Sequence, residues 1–162
     1  LQGTPAFVHI HVIMGCYPIA WSLEHFGEKM GFGSHIARTS AKVSVESMKC
    51  LANAYRQGVR IGAGTDADNP HASLAKEVEL LTVIGMSNME ALLAATKTAA
   101  EILRLDKMIG TVEVGKVADL VLLDANPLDN IRNLTKVGRV FQSGKEVMLP
   151  LYDLTDFFSK VN

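Results

Sequence analysis

The sequence predicts an α/β fold whose character changes part-way along. Three observations carry this. An amphipathic helix over 40–57 is flanked by two β-rich stretches, and helices with recognisable start and stop signals follow to residue 105. Beyond that the helical period gives way to short strands separated by turn residues. The change places a domain boundary near residue 106. The units expected are 1–105, 106–150 and a tail, 151–162, read as a short terminal helix or an extended end.

Residues 6–17 are rich in β-branched and aromatic side chains and stop before Pro18, which reads as a strand. The polar, Gly-punctuated connection 24–34 is long for a packed αβ unit and is expected to carry a short helix. Within 40–57, Ala41, Val45, Met48, Ala52 and Tyr55 recur in steps of four and three, so they share one face, and Gly58 supplies the stop. A buried strand over 59–64 leads into a loop, 65–73, holding Asp66, Asp68, Asn69, Pro70 and His71. Leu74, Val78 and Leu81 form the apolar stripe of a helix over 74–84, closed by Gly85. Ser87-x-x-Glu90 is a capping box that opens a helix to about residue 95, and Thr98-x-x-Glu101 repeats the signal for another to 105. Strands are expected at 110–114, 117–124, 137–142 and 146–149, with Asn126-Pro127 and Ser143-Gly144 as turns and the second at hairpin spacing.

Bulk composition narrows the function. A hydrophobic content of 48% favours a soluble globular protein with well-buried elements. A net charge of −1 with no Lys/Arg run gives no electrostatic footprint for nucleic acid or an anionic membrane. The longest uncharged apolar stretch contains two His, a Gly and a Pro, so it reads as strand and loop rather than a membrane span. Cys16 and Cys50 lack C-x-x-C spacing, which argues against a zinc knuckle or disulfide scaffold and for two buried free thiols. Leu1 opens into a Pro-containing turn with no basic n-region, so no signal peptide is expected, and without an initiator Met the true start is expected upstream. Nothing fixes the compartment, with the cytoplasm slightly favoured.

The most informative segment is Val59-Arg-Ile-Gly-Ala-Gly-Thr-Asp66. It reads as a short strand ending in two glycines, a threonine and one carboxylate, and (β/α)₈ enzymes place their chemistry at the C-terminal tips of such strands. A Gly-Thr-Asp triplet alone is usually a turn. Here a second pattern follows, Gly110-x4-Gly115-Lys116-x-Ala118-Asp119-Leu120-Val121-Leu122. Lys116 reads as a surface turn residue, because a phosphate loop would need Ser or Thr where Val117 stands. Asp119 reads as a structural hydrogen-bonding residue at a strand start.

From about Glu28 to Val147 the chain resembles the amidohydrolase superfamily, in particular the imidazolonepropionase and Xaa-Pro dipeptidase (prolidase)-like branch. Glu28-Lys29-x-Gly31, Gly58-Val59-x-Ile61-Gly62-x-Gly64-Thr65-Asp66 and Glu90-Ala91-Leu92-x2-Ala95-Thr96 carry the first part. Gly110-Thr111-Val112-x2-Gly115-Lys116-x-Ala118-Asp119, Asp124-x-Asn126-Pro127-Leu128-x-Asn130-Ile131 and Ser143-Gly144-Lys145 carry the second. The resemblance implies that residues up to about 105 are the last two β/α units of a (β/α)₈ barrel, and that the β tail is part of a small β-sandwich. It implies a divalent metal, zinc for preference, as one or two ions. It also implies a small-molecule amide, dipeptide or cyclic amide substrate.

By motif, Asp66 is the residue that binds the metal and shuttles the proton. His71, on the same loop, is read either as a substrate contact or as a cap for the helix that follows, and both readings stay open. His9-Ile10-His11 alternate on a strand and could in principle share a metal. The Glu28-Lys29-x-Gly31 match places them on the seventh strand rather than the first, so they are read as lining a wall or facing solvent. His25 and His35 are read as exposed loop residues, and Asp68 and Asn69 as turn residues. The family's H-x-H pair and its other ligands have no counterpart in these residues. The chain is therefore expected to lack a complete metal centre alone, and to self-associate as a homo-oligomer or pair with a missing N-terminal half.

Overall fold

A computed structural model of the chain describes residues 10–13, 34–65 and 74–147. The fold is α/β. Strand β1 (Ile10–Ile13) and strand β2 (Ile61–Gly64) pair in parallel, with Ile10 opposite Ile61 and Ile13 opposite Gly64. The 23-residue helix α1 (Ser34–Arg56) lies between them in the chain, as a parallel pair requires, since its ends cannot be joined by a tight turn. It starts six residues before the expected position. His35 therefore lies in its first turn, exposed, not in a loop. On the expected apolar face Ala52 is buried and Met48 and Tyr55 pack against the core, but Val45 is exposed. Cys50 is a free thiol and exposed, which corrects the expectation of a buried one.

Both predicted glycine stops are realised by the same device. Gly58 (φ +77°) donates to Tyr55 O at 2.9 Å while Val59 donates to Ala54 O at 3.1 Å. After helix α2 (Leu74–Val83), Gly85 (φ +110°) donates to Thr82 O and Met86 to Leu81 O, at 3.1 and 3.2 Å. These are Schellman caps, which satisfy the last helical carbonyls and need a left-handed residue. Helix α3 (Asn88–Ala95) opens on the predicted capping box: Glu90 N–H donates to Ser87 Oγ and Ser87 N–H to Glu90 Oε2.

Helix α4 departs from expectation. It spans Lys97–Ile102, so Thr98 lies inside it and caps nothing. Thr96 occupies the boundary, with its hydroxyl donating back to Leu92 O at 2.8 Å. The helix ends early because Arg104 (φ +59°) takes the left-handed cap position, with Arg104 N–H on Glu101 O and Leu105 N–H on Ala100 O.

The core joins α1 (Leu51, Ala52), β2 (Ile61), α2 (Val78, Leu80, Leu81), α3 (Ala91, Ala94) and Ile131 from a 3₁₀ turn, Ile131–Thr135. Leu74, expected in the α2 stripe, is exposed.

Beyond residue 105 the expected strand at 110–114 is absent. Alternating hydrophobicity makes a strand only where a partner strand supplies hydrogen bonds; Val112 is 85% exposed and Val114 fully so. The segment is a loop pinned by Val117 N–H on Met108 O and by Lys116, which donates to Thr111 Oγ1 and faces Glu113 at 3.6 Å. Lys116 is consequently largely covered rather than a free surface residue.

Strands β3 (Leu120–Leu123), β4 (Val137–Gln142) and β5 (Lys145–Val147) form an antiparallel sheet in that order. Ser143 (φ +50°) and Gly144 (φ +77°) make the predicted two-residue hairpin, both left-handed as a type I′ turn demands. Asp119 does what its position suggested: its Oδ1 accepts from Ser143 N–H at 2.7 Å, anchoring the hairpin to the start of β3.

Candidate functional site

The parallel register puts the C-terminal ends of β1 and β2 side by side, Ile13 against Gly64, and that edge is where an α/β enzyme gathers its chemistry. The two β2 glycines do different things. A Cβ on Gly62 would stand 2.6 Å from Ile102 Cδ1 but 3.8 Å from Ala99 Cα, so Gly62 makes room for the tip of the Ile102 side chain on the strand. Gly64, one step from the tip, has open space where its side chain would be. Thr65 follows, half-buried.

Asp66 and His71 lie outside the described residues, as do His9, His25, Asp68 and Asn69. His11 sits on β1 opposite Gly62 in register. His35 is remote from the tip by sequence, in the first turn of α1. Among the described residues no three His, Cys, Asp or Glu side chains come together in a way that could hold a metal ion, and no helix is long and apolar enough to cross a membrane. A catalytic zinc takes three protein ligands and a water, so the described residues do not by themselves fit such a group.

Helix α2 carries two contrasting carboxylates. Glu79 is held below the usual carboxylate range by hydrogen bonds from Lys76 and then Arg132, whose Nε stands 2.8 Å away. Glu77, two residues earlier, is 1% exposed, its Oε2 has no hydrogen-bond partner, and burial pushes its pKa up to about 8. No motif marks Glu77 in the sequence, although the helical period places it on one face with Leu80, Leu81 and Ile84.

The Asp124-x-Asn126-Pro127-Leu128-x-Asn130-Ile131 motif also acquires a role. Asn126 Oδ1 accepts from Leu128 N–H at 3.0 Å, and Asn130 Oδ1 caps the 3₁₀ turn at Arg132 N–H. Asn88 on α3 donates to Leu128 O at 2.8 Å. The motif thereby seats Ile131 in the core beside α2.

Against this geometry, the model of the amidohydrolase family matches residues 6–147. The chain belongs to that family. Among curated relatives, a 5'-deoxyadenosine deaminase from Methanobrevibacter smithii is 39% identical over 77 residues, covering 41% of this chain and 18% of that protein. An imidazolonepropionase from Sphingopyxis alaskensis is 40% identical over 74 residues, covering 43% and 18%. Among solved structures, a Xaa-Pro dipeptidase with methionine bound in its active site has a TM-score of 0.67 at 31% identity, covering 82% of this chain and 34% of that one. The matches support the imidazolonepropionase and prolidase-like branch. The chain spans about a fifth of the length of the curated relatives it matches.

Proposed function

We propose that these residues form the last two β/α units of a (β/α)₈ barrel, 1–105, and part of a small β-sandwich, 106–150. They would belong to a hydrolase that cleaves C–N bonds in small amides, dipeptides or cyclic amides. The observation that carries this reading is the family match through Gly62-x-Gly64-Thr65-Asp66, whose glycines end a parallel strand at the edge where barrel enzymes act. The deaminase and dipeptidase relatives support C–N hydrolysis as the common chemistry. Asp66 is the proposed acid–base: it accepts a proton from the attacking water and returns it to the leaving nitrogen. His71 is the proposed substrate-side residue. A divalent metal, zinc in this reading, would acidify the water; Asp66 would be one ligand, and the others would come from outside the described residues.

The test is Asp66→Asn in the protein that carries these residues, assayed for amine release from an N-acyl proline dipeptide, ring opening of a cyclic amide and ammonia release from an aminopurine nucleoside. Loss of an acid–base residue should lower kcat by about 10²–10⁴-fold on whichever compound is turned over. Unchanged turnover would remove Asp66 from the chemistry. Tightly held stoichiometric zinc in the 162-residue chain alone would overturn the view that its site is incomplete.

A second reading has its own observation. Val112, Val114 and Val121 are exposed, and β1 and β2 form a two-stranded sheet among the described residues. Open strand edges and apolar surface drive association, so this chain would form homo-oligomers or pair with a missing N-terminal half. A stable monomer in sedimentation at low micromolar concentration would refute self-association.

A further inference from the structure

Glu77 stands in the first turn of α2, buried on the face it shares with Leu80, Leu81 and Ile84. Helix α2 packs against β2, α3 and the 3₁₀ turn. Among the described residues, the charged groups on those elements are already engaged. Glu90 on α3 is held by Ser87 and Tyr55, and Arg132 on the 3₁₀ turn is paired with Glu79. Strand β2 carries no charge, and Arg60 just before it pairs with Glu101. On α2 itself Lys76 pairs with Glu79 at 2.8 Å. A carboxylate buried without a cation or donor is not tolerated, so the group is either neutral or expelled.

We propose that Glu77 is a proton-controlled packing latch: as a neutral acid it lets the first turn of α2 bury against β2, and loss of its proton to solvent unseats that turn. The inference concerns the packing of α2 and does not depend on the chemistry assigned to Asp66. The folded state holds the Glu77 proton to about pH 8, while the unfolded chain releases it near 4.5. The stabilisation is therefore complete below the unfolded value and is lost as pH rises through the folded one. Among the described residues α2 is the first helix after β2 and packs against it, so ionisation acts on an element in contact with the strand.

The test uses the 162-residue protein and its Glu77→Gln variant, followed by denaturant unfolding and by hydrogen exchange of the α2 amides between pH 6 and 9. Full linkage changes the unfolding equilibrium about tenfold per pH unit. After solvent screening, the wild type should lose at least about tenfold across the range relative to the variant, with α2 amides opening first. If the variant does not fold, infrared spectra of the wild type still decide: a protonated-carboxyl band should be present at pH 6 and gone by pH 9. Parallel pH slopes in the two proteins, or a fully ionised Glu77 at pH 6, would overturn the proposal.

Discussion

Gly110 and Gly115 bracket the loop that leads from α4 to the β tail, and they offer a controlled pair. Both are left-handed, at φ +95° and +92°, so Ala at either site incurs a backbone penalty of about 1–2 kcal/mol. They differ in what surrounds them. A Cβ on Gly115 would meet nothing within 4 Å; on Gly110 it would stand 2.5 Å from Ala100 Cβ, 3.1 Å from Thr96 O and 3.3 Å from Lys97 Cα. Those atoms are a buried methyl and helix backbone, so none can rotate away, and overpacking of this kind costs about 1–3 kcal/mol more. The reduced entropy of the unfolded chain offsets both variants equally and cancels in the difference. Urea unfolding should therefore place Gly115→Ala about 1 kcal/mol below wild type and Gly110→Ala about 2–4 kcal/mol below. The gap between the two variants is the quantity of interest. A gap under about 0.5 kcal/mol would mean the Gly110 contact with α4 is not made in solution, and the bracing of α4 would fall with it.

Two further outcomes are expected. Arg104 holds a cap position that glycine fills without strain, so Arg104→Gly should stabilise by about 0.5–1 kcal/mol, read as a raised urea midpoint; a loss of stability would refute the cap assignment. Hydrogen bonds from the Ser87 hydroxyl, the Ser87 amide and Tyr55 hold the Glu90 carboxyl below its usual range, so its contribution is present at neutral pH and is lost as pH falls through that lowered value. Ser87→Ala should cost about 1 kcal/mol at pH 7 and flatten the acid limb of the stability curve; an unchanged limb would show that the capping box carries no linkage.

Much of the local structure was legible because it rests on short-range chemistry. Gly58 and Gly85 end their helices through left-handed caps, Ser87 and Glu90 cap reciprocally, and Ser143-Gly144 turns the hairpin, each decided within about six residues. The misses have the opposite character. Whether 110–114 is a strand depends on a partner strand, whether Thr98 caps depends on where the preceding helix stops, and whether Cys50 or Glu77 is covered depends on neighbours far along the chain. Arg104 was unreadable for another reason: a non-glycine residue at positive φ leaves no compositional mark. At the candidate site, the motif supplied Asp66 and the strand leading to it; Asp66 itself lies beyond the described residues, and its role stands as a proposal.

The contacts around β2 give the β tail a mechanical meaning. The strand is built from Ile61, Gly62, Ala63 and Gly64, too small a set of side chains to fix its own position. Besides its pairing with β1, what fixes it is packed onto it. On one side Ile102 of α4 covers Gly62, and α4 is held in turn by Gly110 fitting against Thr96, Lys97 and Ala100. On the other, α2 is gripped by the 3₁₀ turn through Ile131 and the Arg132–Glu79 pair, with Asn88 of α3 tied to Leu128. Both grips come from residues after 105 and act on the helices that pack against the strand. Damage to the β tail should therefore reach the strand edge through α2 and α4, which is why the Gly110 variant, far from Asp66 in sequence, is the more searching probe of how that edge is held.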